Sequence, residues 1–292
     1  MKLQIFSLLL LASFNSKAQT ANRNEYSIWH IYKDATAMVY ANKVNIRSEA
    51  NINATIIDSL QVGDTVYVAD ITNNFYSQIG VCAAWALVKY SKDSKVREGH
   101  LWLGSLALGY QIKNQEAFVL GIDEAKSVVF NDDANTNGYI YTIRLKHINN
   151  KKQKTSSTLF IKDDESFSYI EVKLLGNPML KNIKEVVRIM FSGQACGVPA
   201  YYYYFGLSTN KFLNLPSKYS VGDADVYYHA ESLIFPNEVG GKPNQIIKYI
   251  EEGQLVEEAT ATKKEKRKKM KKTEVYQWNG EKAIMVKING IH

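Results

Sequence analysis

Apolar and polar residues alternate with a period of two along most of the chain. Runs rich in β-branched and aromatic residues stand between clusters of Gly, Asn and Asp, a pattern typical of short strands joined by tight turns. Helical periodicity is almost absent, and its best candidate, residues 177–191, indicates at most one short turn of helix before a strand. The pattern therefore predicts an all-β protein. The clearest strands are expected at 65–71, 139–147, 200–207, 246–250 and 283–288.

The order of strands and loops between residues 36 and 109 predicts a small barrel of five or six short strands. A strand and an Asn-rich loop lead to the turn at 61–64, a second strand follows, and Trp85 begins the next one. Because alternate side chains of a strand point to the same face, one set of apolar residues is expected to fill the barrel. These residues are Val44, Ile46, Ile57, Leu60, Val66, Val68, Val88 and Leu101.

Four motifs follow one another in this region: NIRS at 45–48, LQVGDTVYV at 60–68, WALVKY at 85–90 and GHLWLGSLAL at 99–108. Their order resembles that of a bacterial SH3-like (SH3b) domain, over about a quarter of the chain. The loop at 72–84 is longer than is usual in that family, and His100-Leu101-Trp102 replaces a Gly that often precedes the aromatic residue. The resemblance implies recognition of peptidoglycan or of another envelope peptide.

Three aromatic residues of the predicted barrel, Tyr40, Trp85 and Trp102, are the candidate ligand-binding residues. A groove lined by aromatic side chains is one of the recurring ways to capture an extended peptide. The alternative is that at least one of the two Trp side chains belongs to the core of the barrel.

Residues 110–292 are expected to form a second, larger antiparallel β domain, while residues 19–35 lead into the barrel. Segments 201–215 and 274–287 each contain an aromatic strand, a polar turn and an apolar strand. Two similar segments do not establish the regular repeat that a propeller requires. A β-sandwich and an incomplete propeller-like sheet therefore both remain open for this region.

The N-terminus has the three regions of a secretory signal peptide. Lys2 supplies the positive charge, residues 3–14 are apolar, and Ser16 and Ala18 precede the expected cleavage site. The apolar stretch is too short to span a bilayer as a helix. We therefore expect residues 1–18 to be removed and the mature chain, without a transmembrane segment, to be periplasmic or secreted, where it meets no nucleic acid.

Export would place the two cysteines, Cys82 and Cys196, in an oxidising compartment in which disulfides persist. They form a candidate disulfide, and a pair of buried free thiols is the alternative. Cys196 with His229 also suggests a thiol site, but a reactive thiolate usually stands at the N-terminus of a helix, and no helix is expected after Cys196. No Gly-x-Ser-x-Gly or Walker-type motif is present. The sequence thus predicts no catalytic residue and no cofactor.

Two acidic segments contain residues of the types that bind metal ions. Residues 133–144 match a calcium loop at Asp133, but the twelfth position is Arg144 where a bidentate Glu is required. Residues 222–232 contain a set of potential ligands on alternate positions, which a straight strand would spread over roughly 26 Å. No metal ligand is therefore predicted. The potential ligands of the second segment are Asp223, Asp225, His229 and Glu231.

The run KKEKRKKMKK at 263–272 has eight basic residues and one acidic residue, and its net charge equals the +7 of the whole chain. The charge is thus local, unlike the distributed basic face of a nucleic-acid-binding domain. We expect an exposed loop over 259–273, in a protruding hairpin whose acidic and basic arms partly neutralise each other. Weak contact of Lys263–Lys272 with an anionic envelope surface is a further hypothesis.

Together these features predict an exported, non-catalytic binding or scaffold protein of the bacterial envelope. Its partner would be a cell-wall peptide or an envelope protein, bound through the SH3-like barrel. The alternative is an envelope-associated hydrolase with a thiol site near Cys196 and His229.

Overall fold

A computed structural model describes residues 28–130, 137–162, 165–224, 226–257 and 265–291. In these ranges the chain is almost entirely antiparallel β-structure, which confirms the predicted all-β fold. The five strands that alternation marks most clearly are all present. Residues 177–191 contain no helical turn, and a strand begins there at Glu185. The predicted signal peptide, residues 1–18, lies outside the described residues.

The first sheet, here the N-terminal sheet, has six strands in the order β1-β4-β5-β6-β2-β3. A short 3-10 helix, Leu103–Ser105, follows its last strand. The strands are β1 (Thr36–Met38), β2 (Lys43–Arg47), β3 (Ile56–Gln61), β4 (Thr65–Gln78), β5 (Val81–Lys92) and β6 (Lys95–Trp102).

Of the eight residues predicted to fill the interior of this sheet, seven are buried. The exception is Ile57, which is 48% exposed. Ile57 lies three positions from the buried Leu60, so strict alternation along β3 places it on the opposite face. It is also the extra residue of a β-bulge, because Ile46 pairs with Asp58 and Arg47 with Ile56.

Residues 72–84, expected to be a long loop, form the outer half of a β-hairpin instead. Strands β4 and β5 continue to a tight turn at Ile79 and Gly80, both with positive φ. The turn lies on the next sheet, where the Ala125 N–H donates a hydrogen bond to the Ile79 carbonyl at 2.7 Å. A Cβ at Gly80 would stand 1.8 Å from the Ala125 oxygen, so only glycine permits this approach.

The second sheet, the middle sheet, has four strands in the order β10-β9-β8-β7. The third, the C-terminal sheet, has eight strands in sequence order from β11 to β18. A second 3-10 helix, Glu165–Ser168, precedes it. The strands are β7 (Gly109–Lys113), β8 (Glu116–Val129), β9 (Asn137–Asn149), β10 (Lys152–Lys162), β11 (Tyr169–Leu174), β12 (Glu185–Ser192), β13 (Ala200–Leu207), β14 (Phe212–Asp223), β15 (Tyr227–Ile234), β16 (Gln245–Glu257), β17 (Lys266–Trp278) and β18 (Ala283–Ile291).

One buried cluster joins the three sheets: it contains Val88 of β5, Leu120 of β8 and Val187 of β12. A smaller cluster packs Met38 and Tyr40 against Val119 of the middle sheet. A separate core, around Ile246 and Trp278, belongs to the C-terminal sheet. The N-terminal and middle sheets therefore share a packed boundary, and the hairpin of β4 and β5 extends across it.

Candidate functional site

The three aromatic residues predicted to bind a ligand line one cavity at the boundary between the N-terminal and middle sheets. The cavity has a volume of about 480 Å³, and its walls include Tyr40, Trp85 and Trp102. Each of the three side chains is at least nine-tenths buried, so each also packs in the core. Trp85 and Trp102 both belong to the largest buried cluster, in agreement with the alternative that a Trp side chain is part of the core, and both also line the cavity.

The aromatic wall of the cavity is built by the long hairpin. Trp85 of β5 stands directly opposite Trp102 of β6, and the ring of Tyr76 lies 6.2 Å and 6.1 Å from theirs. The Trp102 indole N–H is shared between the carbonyls of Tyr76 and Ala83, at 2.9 and 3.1 Å. A Cβ at Gly104 would lie 2.2 Å from the Trp102 ring, so this glycine makes room for the indole. The orientation of Trp102 is therefore fixed from two sides.

The polar wall centres on Asp123 of β8. Its carboxylate accepts a short hydrogen bond from the Tyr40 hydroxyl and another from Arg144 Nε at 2.5 Å. Burial raises the pKa of the Tyr40 hydroxyl, and the neighbouring Asp123 carboxylate raises it further. The hydrogen bond to Asp123 also raises the pKa of Arg144. The ring of Tyr40 lies against Gly121, where a Cβ would stand 2.3 Å away.

Lys146 of β9 completes the polar wall and is only 5% exposed. Its ammonium donates to the Tyr40 carbonyl at 3.0 Å and to Asn42 Oδ1 at 3.1 Å, and lies 3.9 Å from the centre of the Tyr40 ring. All three contacts are with neutral groups. Burial lowers the pKa of Lys146 to about 8, although the charge of Asp123 acts in the opposite direction.

The rim of the cavity is positive and partly apolar. Lys43 and Arg47 of β2 line it together with Ile52. The Arg47 guanidinium donates to the Ala54 carbonyl at 2.7 Å, which holds the loop after β2. The lining residues carry three cationic side chains and one carboxylate, Asp123, which is already bonded to Arg144. The arrangement suits a ligand with an apolar or planar part and a negative group.

Sequence reasoning found the aromatic residues of this site and missed its polar ones. Arg144 and Lys146 lie two positions apart in a predicted strand, so alternation already places them on one face. Asp123 carried no such signal, because it is the extra residue of a bulge between Ile122 and Glu124.

Cys196 and His229, the candidate residues of a thiol site, share no hydrogen bond. Cys82 and Cys196 are both free and exposed, which differs from the candidate disulfide and from the buried-thiol alternative. The two ring nitrogens of His229 lie 2.6 Å from Glu252 Oε1 and 3.2 Å from Glu231 Oε1. A general base needs a ring nitrogen free to accept the thiol proton. This geometry engages both nitrogens of His229 with carboxylates.

The acidic segment at 222–232 folds as a hairpin in which His229 and Glu231 meet, while Asp223 lies at the end of β14. Lys248 Nζ is 2.7 Å from the second oxygen of Glu231, so the cluster contains its own cation. The ring of His229 stacks on Tyr219 at 4.0 Å. Asp225 and Asp133 lie outside the described residues. Among those that are described, no group of three or more potential ligands is arranged to hold a metal ion.

The basic run, expected as a loop over 259–273, is a strand from Lys266 onward. Strand β17 pairs with β16, so Lys271 stands opposite Glu251 and Lys266 opposite Glu257, with ion-pair distances of 3.6 Å in both cases. Acidic residues of β16 thus face basic residues of β17, and opposite charges directly across a strand pair are favourable. The predicted hairpin with partly neutralising arms is thus present, and the predicted loop is wrong from Lys266 onward.

Two exposed lysines of this strand stand opposite neutral residues. Lys268 faces Gln254 and Lys269 faces Gly253 across the ladder. Because neighbouring strand residues point to opposite faces, the hairpin keeps one exposed positive charge beyond its ion pairs on each face. Glu258, which was expected in the acidic arm, and residues 263 and 264 of the run lie outside the described residues.

Within the described part of the chain, no helix has the length and apolar content needed to cross a bilayer. Comparison of the chain with models of known protein families, with curated proteins and with solved structures finds no match.

Proposed function

We propose that the chain is an exported, non-catalytic binding protein of the bacterial envelope. Its ligand would be an extended cell-wall peptide held in the cavity between the N-terminal and middle sheets. The observation that carries the proposal is the convergence of Tyr40, Trp85 and Trp102 on that one cavity. Concave sites with aromatic walls and a few convergent polar groups are typical of ligand binding.

Two further features support a peptide of the envelope. The SH3b resemblance of residues 36–109 implies recognition of peptidoglycan, and the N-terminal sequence implies export. The positive rim at Lys43 and Arg47 suits the carboxylates of cell-wall peptides.

The basic strand supports a secondary, weaker contact with the envelope. Lys268 and Lys269 are exposed and face neutral residues, so their charges are available to an anionic surface. Each lysine near such a surface contributes about 1 kcal/mol of attraction, which falls off within a Debye length. This contact would add to the binding in the cavity and would be sensitive to salt.

The test is co-sedimentation of the full mature chain with purified cell-wall sacculi. Replacement of Ile52 by Asp changes the rim of the cavity, and replacement of Ile112 by Asp makes the same change on β7, outside it. These side chains are 36% and 53% exposed, so both variants are expected to fold. We expect the wild type and the Ile112→Asp variant to sediment with the sacculi and the Ile52→Asp variant to sediment several-fold less.

A wild-type chain that stays in the supernatant would reject wall binding. Equal sedimentation of the two variants would place the contact outside the cavity.

A further inference from the structure

Lys146 is a buried cation whose contacts are all neutral. Its ammonium bonds to the Tyr40 carbonyl and to the amide oxygen of Asn42, and among the described residues no carboxylate lies within ion-pair distance of it. Burying a charge without an opposite charge is unfavourable, and the lowered pKa of Lys146, about 8, reflects that cost. An anion at this position would remove the cost.

Asp123 does not fill that role, although it lies in the same wall. Its carboxylate is held by the Tyr40 hydroxyl and by Arg144. Two charge-assisted hydrogen bonds of this kind hold the carboxylate, which acts on Lys146 through its charge but forms no ion pair with it. The structure thus separates two cations, one paired with Asp123 and one facing the cavity without a carboxylate.

The surroundings would strengthen an ion pair at Lys146. The ring of Tyr40 lies directly against the ammonium, Trp85 and Trp102 line the same cavity, and Lys146 is buried, so the local dielectric constant is lower than in water. Arg47 and Lys43 at the rim extend the positive potential to the mouth of the cavity. An anionic group entering the cavity would therefore be attracted at the rim and bound at Lys146.

We infer that the ligand of this cavity carries a carboxylate, and that the Lys146 ammonium binds it. The inference rests on the proposed function, because it assumes that the cavity is the ligand site. Within that function, the chemical group that Lys146 recognises is the free carboxylate of a wall peptide. A phosphate group on the wall has similar chemistry and is the alternative source that the experiment must separate.

The experiment compares native sacculi with sacculi whose carboxylates have been converted to amides by a carbodiimide and ammonia, a treatment that leaves phosphate groups in place. The full mature chain is tested as the wild type, as Lys146→Met and as Lys89→Met. Lys89 is an exposed lysine of β5 outside the cavity and serves as the matched control. A charge-assisted pair in a water-excluded site corresponds to about a tenfold change in affinity.

We expect the wild type and Lys89→Met to prefer native over amidated sacculi by about tenfold, and Lys146→Met to lose that preference. If Lys146→Met still prefers native sacculi, the preference comes from the general surface charge of the protein, and the inference is overturned. Equal binding of both sacculi by the wild type would overturn it as well, while leaving the binding function in place. If the wild type binds neither preparation, the proposed function itself fails.

A second readout needs only the wild type, in case Lys146→Met does not fold. Pairing with a carboxylate raises the pKa of Lys146, so binding near pH 8 must take up a fraction of a proton. Calorimetric titration with muropeptides released from the sacculi, in two buffers of different ionisation enthalpy, measures this uptake. Uptake near pH 8 that vanishes at pH 6 is expected, and uptake of zero at both pH values would contradict the role of Lys146.

Discussion

The Lys146 ammonium lies 3.9 Å from the centre of the Tyr40 ring and donates a hydrogen bond to the carbonyl of that same residue at 3.0 Å. The two residues are 106 positions apart, one after β1 and the other in β9. Their contact joins the N-terminal sheet to the middle sheet at the wall of the cavity. The candidate site therefore depends on the packing of two sheets and does not belong to the barrel region alone.

Replacement of Tyr40 by Phe should destabilise the chain by about 1–2 kcal/mol. The variant keeps the ring but removes the donor to Asp123, and a hydrogen bond to a charged group contributes about that much. Urea unfolding measures the change. Tyr67→Phe is the control, because its hydroxyl bonds to Asp34 at an exposed position, and its effect should be much smaller. Equal effects of the two substitutions would contradict the role of the buried pair.

Gly121 should tolerate no side chain. An added Cβ would stand 2.3 Å from the Tyr40 ring, and overpacking of this kind costs about 1–3 kcal/mol. Gly222→Ala is the matched control, since a Cβ there meets nothing within 4 Å. We expect Gly121→Ala to lower the unfolding free energy and to weaken binding to sacculi, with little change for Gly222→Ala. Similar stability of the two variants would show that the Tyr40 ring can move aside.

The lowered pKa of Lys146 predicts a specific dependence of stability on pH. The folded chain releases the Lys146 proton near pH 8, whereas the unfolded chain keeps it until about pH 10.4. Between these values the unfolded state binds more protons, so stability contributed by this group rises as the pH increases. The rise is at most roughly 3 kcal/mol, at about 1.4 kcal/mol per pKa unit.

The measurement compares the unfolding free energy of the wild type with that of Lys146→Met from pH 7 to pH 10. Other titrating groups are common to both chains and cancel in the difference. We expect the wild type to gain relative to the variant above pH 8. A difference that is constant over this range would mean that Lys146 keeps an ordinary pKa.

Alternation alone was enough to predict the five clearest strands, because each side chain of a half-buried strand reports which face it occupies. It failed over 72–84 for a physical reason. Bulges and long twisted hairpins change the register, and a register depends on the partner strand rather than on local sequence. The same limit applies to the basic run, whose strand conformation depends on β16 as its partner.

The sequence predicted the aromatic residues of the candidate site but not its polar residues. Trp85 and Trp102 lie in motifs with a recognisable order and Tyr40 lies just before the first of them, so all three were expected in the barrel region. Asp123 and Lys146 come from another sheet, and their contacts with Tyr40 span 83 and 106 positions. No local pattern encodes contacts at such separations, which arise only when the two sheets pack.

The exposure of Cys82 and Cys196 predicts that both thiols react in the folded, reduced protein. A thiol-reactive probe should label two sites per chain without denaturant. The variants Cys82→Ser and Cys196→Ser should each label at one site. Labelling that requires denaturant would mean that the thiols are buried, and a Cys82–Cys196 disulfide found by mass spectrometry would mean that they pair.

In the basic strand, lysines that contact a surface can be replaced with little effect on the stability of the sheet. Lys266–Lys272 pair with β16 along the hairpin, so this part of the run belongs to the C-terminal sheet. Deletion of 263–272 should therefore destabilise that sheet. Replacement of both Lys268 and Lys269 by Gln removes two exposed charges opposite neutral residues and should change the unfolding free energy by less than about 0.5 kcal/mol.

The same double replacement should weaken salt-dependent association with vesicles that contain anionic lipid by about fivefold, because Lys268 and Lys269 point to opposite faces and the one that meets the surface contributes about 1 kcal/mol. The matched control replaces Lys89 and Lys95, two exposed lysines of the N-terminal sheet, and should leave vesicle binding unchanged. If both double variants bind vesicles as the wild type does, the basic strand has no part in contact with the envelope. Its lysines would then serve the hairpin itself, because unpaired charge along an exposed strand edge opposes edge-to-edge association of the sheet.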